Sequence, residues 1–203
     1  MNDGERSRSA ADLRSADTAM PTNPWKTLSS SPIYGNQWFA VREDRVIRPD
    51  GQPGTYSVVS ASRLATGIVP LWADGTVTLV GQHRYPLDEY SWEIPEGGGA
   101  LTTEPLEIAK RELIEEAGIE AATWTYLGRV HTSNCFTDEV CHLFLARDLT
   151  QGKAAPDPDE VIDTKRIPFE EAVRMTYDGR MTDAISIAGI FRASVYLSDH
   201  NRK

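Results

Sequence analysis

Apolar positions follow two different periods along the chain. Between residues 25 and 62 they alternate with polar ones in short runs, among them Trp38-Phe39-Ala40-Val41 and Thr55-Tyr56-Ser57-Val58-Val59, on either side of Pro49-Asp50-Gly51. Alternation places successive side chains on opposite faces of a strand, and Pro-Asp-Gly is turn chemistry, so this stretch predicts a β meander. Denser runs at 66–72 and 76–82 flank Ala73-Asp74-Gly75, whose Asp-Gly pair predicts a tight hairpin. The period then lengthens. Leu106, Ala109, Leu113 and Ala117 fall on one side of a helix over residues 104–117, and Gly118 is placed to end it. Strands are expected at 124–130 and 140–146, then a polar loop at 151–160. Pro168 can open a helix to about residue 177. Thr182 or Asp183 can cap another to about residue 197, with Ile185, Ile187, Ala188, Ile190 and Val195 as its apolar residues. Strands interleaved with helices imply an α/β fold.

Composition adds limits to this picture. A chain of 203 residues with 40% hydrophobic and 25% charged residues can bury one sizeable core. Residues 1–24 are rich in Ser, Ala, Asp and Arg, which predicts a flexible N-terminal tail. A β subdomain over 25–62 and a principal domain over 63–203 complete the expected division. The formal charge of -9 argues against non-specific nucleic-acid binding, because a polyanion is repelled at long range. Cys135 and Cys141 are too few for a disulfide framework and lie outside any CxxC pattern. Neither a membrane-length apolar run nor a signal-peptide core is present in the sequence, so the expectation is a cytoplasmic protein without a membrane partner.

Charge becomes chemistry at Gly97-Gly98-Gly99, followed by the acidic helix. Glu112, Glu115 and Glu116 stand three or four residues apart, so a helix gathers their carboxylates along one side while Leu106 and Leu113 face the core. Crowded carboxylates suit a hard divalent ion, Mg²⁺ with Mn²⁺ as the alternative, whose octahedron is completed by water and phosphate oxygens. An acidic surface face is the competing reading, and the glycines ahead of the helix favour a site.

The stretch from Gly97 to Ile119 resembles the Nudix box, Gx5Ex7REUxEExGU, with U aliphatic. Gly97, Arg111, Glu112, Leu113, Glu115, Glu116, Gly118 and Ile119 stand at the family's spacing, and Thr103 replaces the first glutamate. The resemblance implies an α/β/α sandwich with a mixed central sheet, here with an N-terminal antiparallel β extension. It also implies metal-dependent hydrolysis of a nucleoside diphosphate derivative, with Arg111 bracing the glutamates. Upstream, Gln82-His83-Arg84-Tyr85-Pro86 and Ser91-Trp92-Glu93-Ile94-Pro95-Glu96 are similar to the ADP-ribose and nucleotide-sugar pyrophosphatase branch. In that branch the backbone carbonyl at Glu96 would bind metal and Arg84 would contact substrate phosphate. An acidic loop residue would bind metal or activate water, here Glu160, with Asp159 and Asp157 behind it. Glu139, in Thr137-Asp138-Glu139, is a second acidic candidate facing substrate.

Relatives of this branch are homodimers with aromatic residues stacking on the base, which points to Trp25 and Trp38. Ser133-Asn134-Cys135 stands where the ADP-ribose branch usually has a proline. The expected activity is therefore cleavage of ADP-ribose or a nucleotide sugar by a homodimeric, Mg²⁺-dependent enzyme. The alternative is a weakly catalytic Nudix module that binds ADP-ribose or a related nucleotide as a sensor.

Overall fold

The computed structural model describes residues 22–155 and 161–200. It contains ten strands and three helices: β1 (Lys26–Gly35), β2 (Phe39–Ile47), β3 (Pro53–Ala61), β4 (Arg63–Pro70), β5 (Thr76–Arg84), β6 (Glu89–Glu93), β7 (Glu96–Ala100), α1 (Pro105–Ala117), β8 (Ile119–His131), β9 (Val140–Gln151), β10 (Asp163–Pro168), α2 (Phe169–Asp178) and α3 (Ala184–His200). The meander read from alternation is a three-stranded sheet in the order β1-β2-β3.

The described chain divides into two compact units, a smaller one of residues 22–30 with 44–56 and a larger one of 31–43 with 57–200. In the smaller unit the Pro49-Asp50-Gly51 turn is closed by a bond from the Arg48 N–H to the Gln52 carbonyl. Gly51 sits there at φ +80, a left-handed conformation that glycine adopts without strain. The Trp25 ring meets Tyr56 edge-on at 5.3 Å.

The larger unit is built on a mixed four-stranded sheet in the order β7-β4-β9-β8. β4 runs parallel to β9 and antiparallel to β7, while β8 and β9 are antiparallel. Alternation along β4 and β9 divides the core into two. Val69, Leu143 and Leu145 pack with Ile190 and Ala193 of α3, and Ile68, Phe144 and Ala146 pack with Ala109, Leu113 and Ala117 of α1. Helices on both faces make the sheet an α/β/α sandwich, the architecture expected from the sequence. A second sheet, β10-β5-β6, contributes Val77 and Leu79 to the α3 layer and Val80 to the α1 layer.

Local signals misplaced several elements. The runs at 66–72 and 76–82 are strands joined by a tight turn, with Gly75 at φ +80, but they do not form the expected hairpin. A single bridge between Leu71 and Val77 and the bonds of Trp72 to Thr76 and Thr78 link them at the turn, while the edges of β4 are taken by β7 and β9, and those of β5 by β10 and β6. The three glycines expected in a strand-to-helix loop form most of β7. β10 was not foreseen, since Asp163-Thr164-Lys165-Arg166 is polar and gains its place by pairing with β5. Val195 was expected on the buried face of α3 and is 45% exposed.

Candidate active site

The acidic helix is positioned by local chemistry at both ends. Pro105 opens α1 where a missing N–H costs nothing, and Gly118 closes it in the left-handed conformation, donating its N–H to Ile114. Burying Ile108, Ala109, Leu113 and Ala117 turns the same side of the helix inward, taking Glu112 and Glu116 with it, 8% and 4% exposed. Buried carboxylates require partners. Arg111 supplies a fork: one nitrogen reaches Glu112 at 2.5 Å and the Gly98 carbonyl at 2.9 Å, and the other binds Glu115. Glu116 accepts the Glu96 N–H at 2.8 Å.

The glycines of β7 let a strand pass this close. A Cβ on Gly97 would overlap the Glu112 carboxylate, and one on Gly99 would lie 2.6 Å from Ile108. On the other side of β7, Arg84 of β5 donates to both oxygens of Glu93 and reaches Glu96 at 2.9 Å. Glu93 is 2% exposed. Burial pushes the Glu96 carboxyl well above the usual carboxylate range, Asp183 and Glu93 add to the effect, and Arg84 only partly opposes it. Its Oε2 is buried without a hydrogen-bond partner. Asp183 itself caps α3, accepting the Ser186 N–H at 2.6 Å.

A cavity of about 650 Å³ opens beside these groups, lined by Trp38, Phe39, Arg63, Arg84, Glu96 and Gly97 on one side and by Thr132, Phe136 and Glu139 on another. A smaller one of about 230 Å³ is lined by Arg63, Arg84, Glu96, Arg111, Glu112, Glu115 and Glu116. The far wall of the larger cavity is tied to β3: the Val59 N–H donates to the Phe136 carbonyl at 2.8 Å, and the Ala61 N–H to Asp138 at 2.9 Å. Glu139 accepts the Thr132 hydroxyl at 2.7 Å.

This geometry agrees with what the chain is similar to. Residues 61–186 match the NUDIX domain and residues 25–59 the nucleoside diphosphate sugar hydrolase N-terminal domain. The chain belongs to the Nudix family. An ADP-ribose pyrophosphatase of Mycobacterium tuberculosis is 33% identical over 84% of each chain. An ADP-ribose pyrophosphatase of Bacillus subtilis is 29% identical over 78% of this chain and 86% of its own. A GDP-mannose pyrophosphatase of Yersinia enterocolitica is 32% identical over 61% and 69%. A crystal structure of an ADP compounds hydrolase superposes with a TM-score of 0.80, covering 91% of this chain and 100% of that one at 20% identity. This Nudix protein is thus a pyrophosphohydrolase of the ADP-ribose and nucleotide-sugar branch, acting on a nucleoside diphosphate derivative.

The Nudix fold draws together most of the residues expected from the sequence. Arg84, Glu96, Arg111, Glu112, Glu115, Glu116 and Trp38 all border the smaller cavity, and Glu139 borders the larger. Trp25 belongs to the smaller unit. Asp157, Asp159 and Glu160 lie outside the described residues. Thr103 lines a third cleft of about 580 Å³ with Arg63, Glu107 and Arg111. Glu93, Phe136, Asp138 and Arg63 were missed, since each acquires its role from partners distant in sequence, and Asp183 was foreseen only as a helix cap.

The residues fit a hard divalent ion by donor chemistry. Carboxylates outnumber guanidiniums around β7 and α1, all the donors are oxygens, and one Glu96 carboxyl oxygen is buried without a hydrogen-bond partner. Among the described residues no three such groups already converge on one point.

Proposed function

We propose that this Nudix enzyme hydrolyses the diphosphate of ADP-ribose or a nucleotide sugar, using Mg²⁺, with Mn²⁺ as a substitute. The observation that carries this reading is the burial of Glu112 and Glu116 against a glycine strand that borders the 650 Å³ cavity. A divalent ion held by Glu112, Glu115 and Glu116, with the Glu96 backbone carbonyl and Glu160 as further ligands, would activate water and polarise phosphoryl oxygens.

Arg111 holds Glu112 and Glu115 in register, and the Glu96 N–H orients Glu116. Water attacks one phosphorus, the bridging P–O bond breaks, and the attacking water loses its proton to a carboxylate. ADP-ribose would give AMP and ribose 5-phosphate, and a nucleotide sugar a nucleoside monophosphate and a sugar 1-phosphate. Glu160 is our choice of proton acceptor, followed by Asp159 and Asp157. The Ala155 N–H donates to the Glu115 carbonyl at 3.0 Å, so the chain enters that segment beside the acidic helix. Glu139, which lines the cavity wall, would bind substrate. Residues 25–62 as a β subdomain, residues 63–203 as the hydrolase domain, a homodimer and a cytoplasmic location complete the proposal.

The test is hydrolysis of ADP-ribose, GDP-mannose, UDP-glucose, NADH and dGTP with Mg²⁺, followed by phosphatase-coupled phosphate release. Cleavage of a diphosphate that falls about 100-fold or more in Glu116→Gln supports the reading. Nucleotide binding without turnover by the wild type would replace it with the sensor reading, for which Thr103 in place of a box glutamate is the specific observation.

A further inference from the structure

The cavity walls carry three guanidiniums, and their partners differ. The head of Arg84 is occupied by Glu93 and Glu96, and that of Arg111 by Glu112 and Glu115. Arg63, at the start of β4, lines both the 650 Å³ cavity and the smaller acidic one. Among the described residues no carboxylate stands within ion-pair distance of it. Its neighbours are the Trp38 ring, with the guanidinium carbon 4.5 Å from the centroid, and the Gly98 carbonyl at 3.5 Å.

We infer that Arg63 is the side chain that binds the substrate's diphosphate and that Trp38 is the platform holding it, an inference that rests on the diphosphatase reading above. A phosphate oxygen entering these cavities meets an already neutralised Arg84 and Arg111, whereas Arg63 retains its charge and its fork of donors. Arginine presents paired N–H groups that match phosphate oxygens, and such charge-assisted bonds are the strong ones. An indole face holds a guanidinium plane without consuming those donors. Trp38 is itself fixed: Asn36 accepts the Trp38 and Phe39 N–H groups at 2.8 and 2.9 Å, and the Trp38 carbonyl accepts the Ser62 N–H at 3.0 Å. One tether thus joins the residue before Arg63 to the ring beneath it. The Trp38 face turned toward Arg63 is therefore taken, which leaves the opposite face for a base.

The experiment is calorimetric titration of the full chain with ADP-ribose in EDTA, where contacts made by protein alone are read, alongside KM and kcat with Mg²⁺. Arg63 is exposed, so Arg63→Gln should fold as the wild type does, checked by its thermal midpoint. The expected result is a rise of about tenfold in Kd and KM with a smaller change in kcat. Arg63→Lys should recover part of the loss, because charge returns without the planar fork. Trp38→Leu should weaken binding in the wild type and add nothing in the Arg63→Gln background. Wild-type Kd in Arg63→Gln, no metal-independent binding by the wild type, or strictly additive Trp38 and Arg63 losses would each overturn the inference. If the wild type binds in EDTA but cleaves none of the diphosphates, the enzyme reading fails while the titrations still decide Arg63.

Discussion

Arg111 shows how much one side chain can organise. It binds the carboxylates of its helix neighbours Glu112 and Glu115 and, through the Gly98 carbonyl, the strand beneath them. A lysine keeps the charge but offers one ammonium where a fork is needed. Arg111→Lys should therefore lower kcat/KM about tenfold while raising the metal concentration needed for half-maximal rate, since charge-assisted bonds of this kind are worth about 1.5–3 kcal/mol. Asp138 is the comparable anchor at the cavity's far wall. Its burial opposes the charged form, but bonds from the Ala61 N–H, Ser60 and Arg42 outweigh it and hold the pKa below its ordinary 3.8. A depressed carboxylate stabilises the fold above its unfolded pKa, and that contribution is lost as pH falls through the folded value. Thermal melts of Asp138→Asn should thus lie below wild type at neutral pH, with the gap closing in acid below about pH 4.

Two elements, β7 and α1, meet at a spacing that only glycine permits. Gly97→Ala would drive a methyl group into the Glu112 carboxylate. Displacement of a catalytic group by about 1 Å can cost on the order of 100-fold in rate. Gly97→Ala should approach that loss in kcat/KM while still showing a cooperative melt, whereas retention of wild-type kinetics would mean that the carboxylate does not work from this position. Legibility at this scale depended on whether a signal was local. The acidic helix was readable to within a residue because the apolar spacing and Gly118 are local to it. The identity of β7 was hidden because glycine has low strand propensity, and its pairing with β4 is decided by what packs on it. The box glutamates were legible as a group for the same local reason, whereas Glu93 could not be assigned until Arg84 was seen in contact with it. The fold class followed from the interleaving of strands and helices, and strand partners did not.

For the whole molecule, the two core layers share the central sheet, so its buried leucines serve the site from a distance. Leu143 is fully buried and packs against the positions of Gly67 and Gly189. Leu143→Ala should lower unfolding free energy by about 2–5 kcal/mol in denaturant titration, and a loss below about 1 kcal/mol would contradict a close-packed α3 layer. The 650 Å³ cavity is likewise a product of distant chain segments. Trp38, Phe39 and Val59 come from the stretch matched to the N-terminal domain of nucleoside diphosphate sugar hydrolases, while the carboxylates come from the NUDIX match. The hydrogen bond from Val59 to Phe136 crosses that boundary within a single compact unit. Trp38, Phe39 and Val59 on one wall and the carboxylates on another therefore lie on separate stretches of sequence. Substitutions upstream of residue 60 should reshape one wall of the cavity while leaving the carboxylates of α1 unaltered.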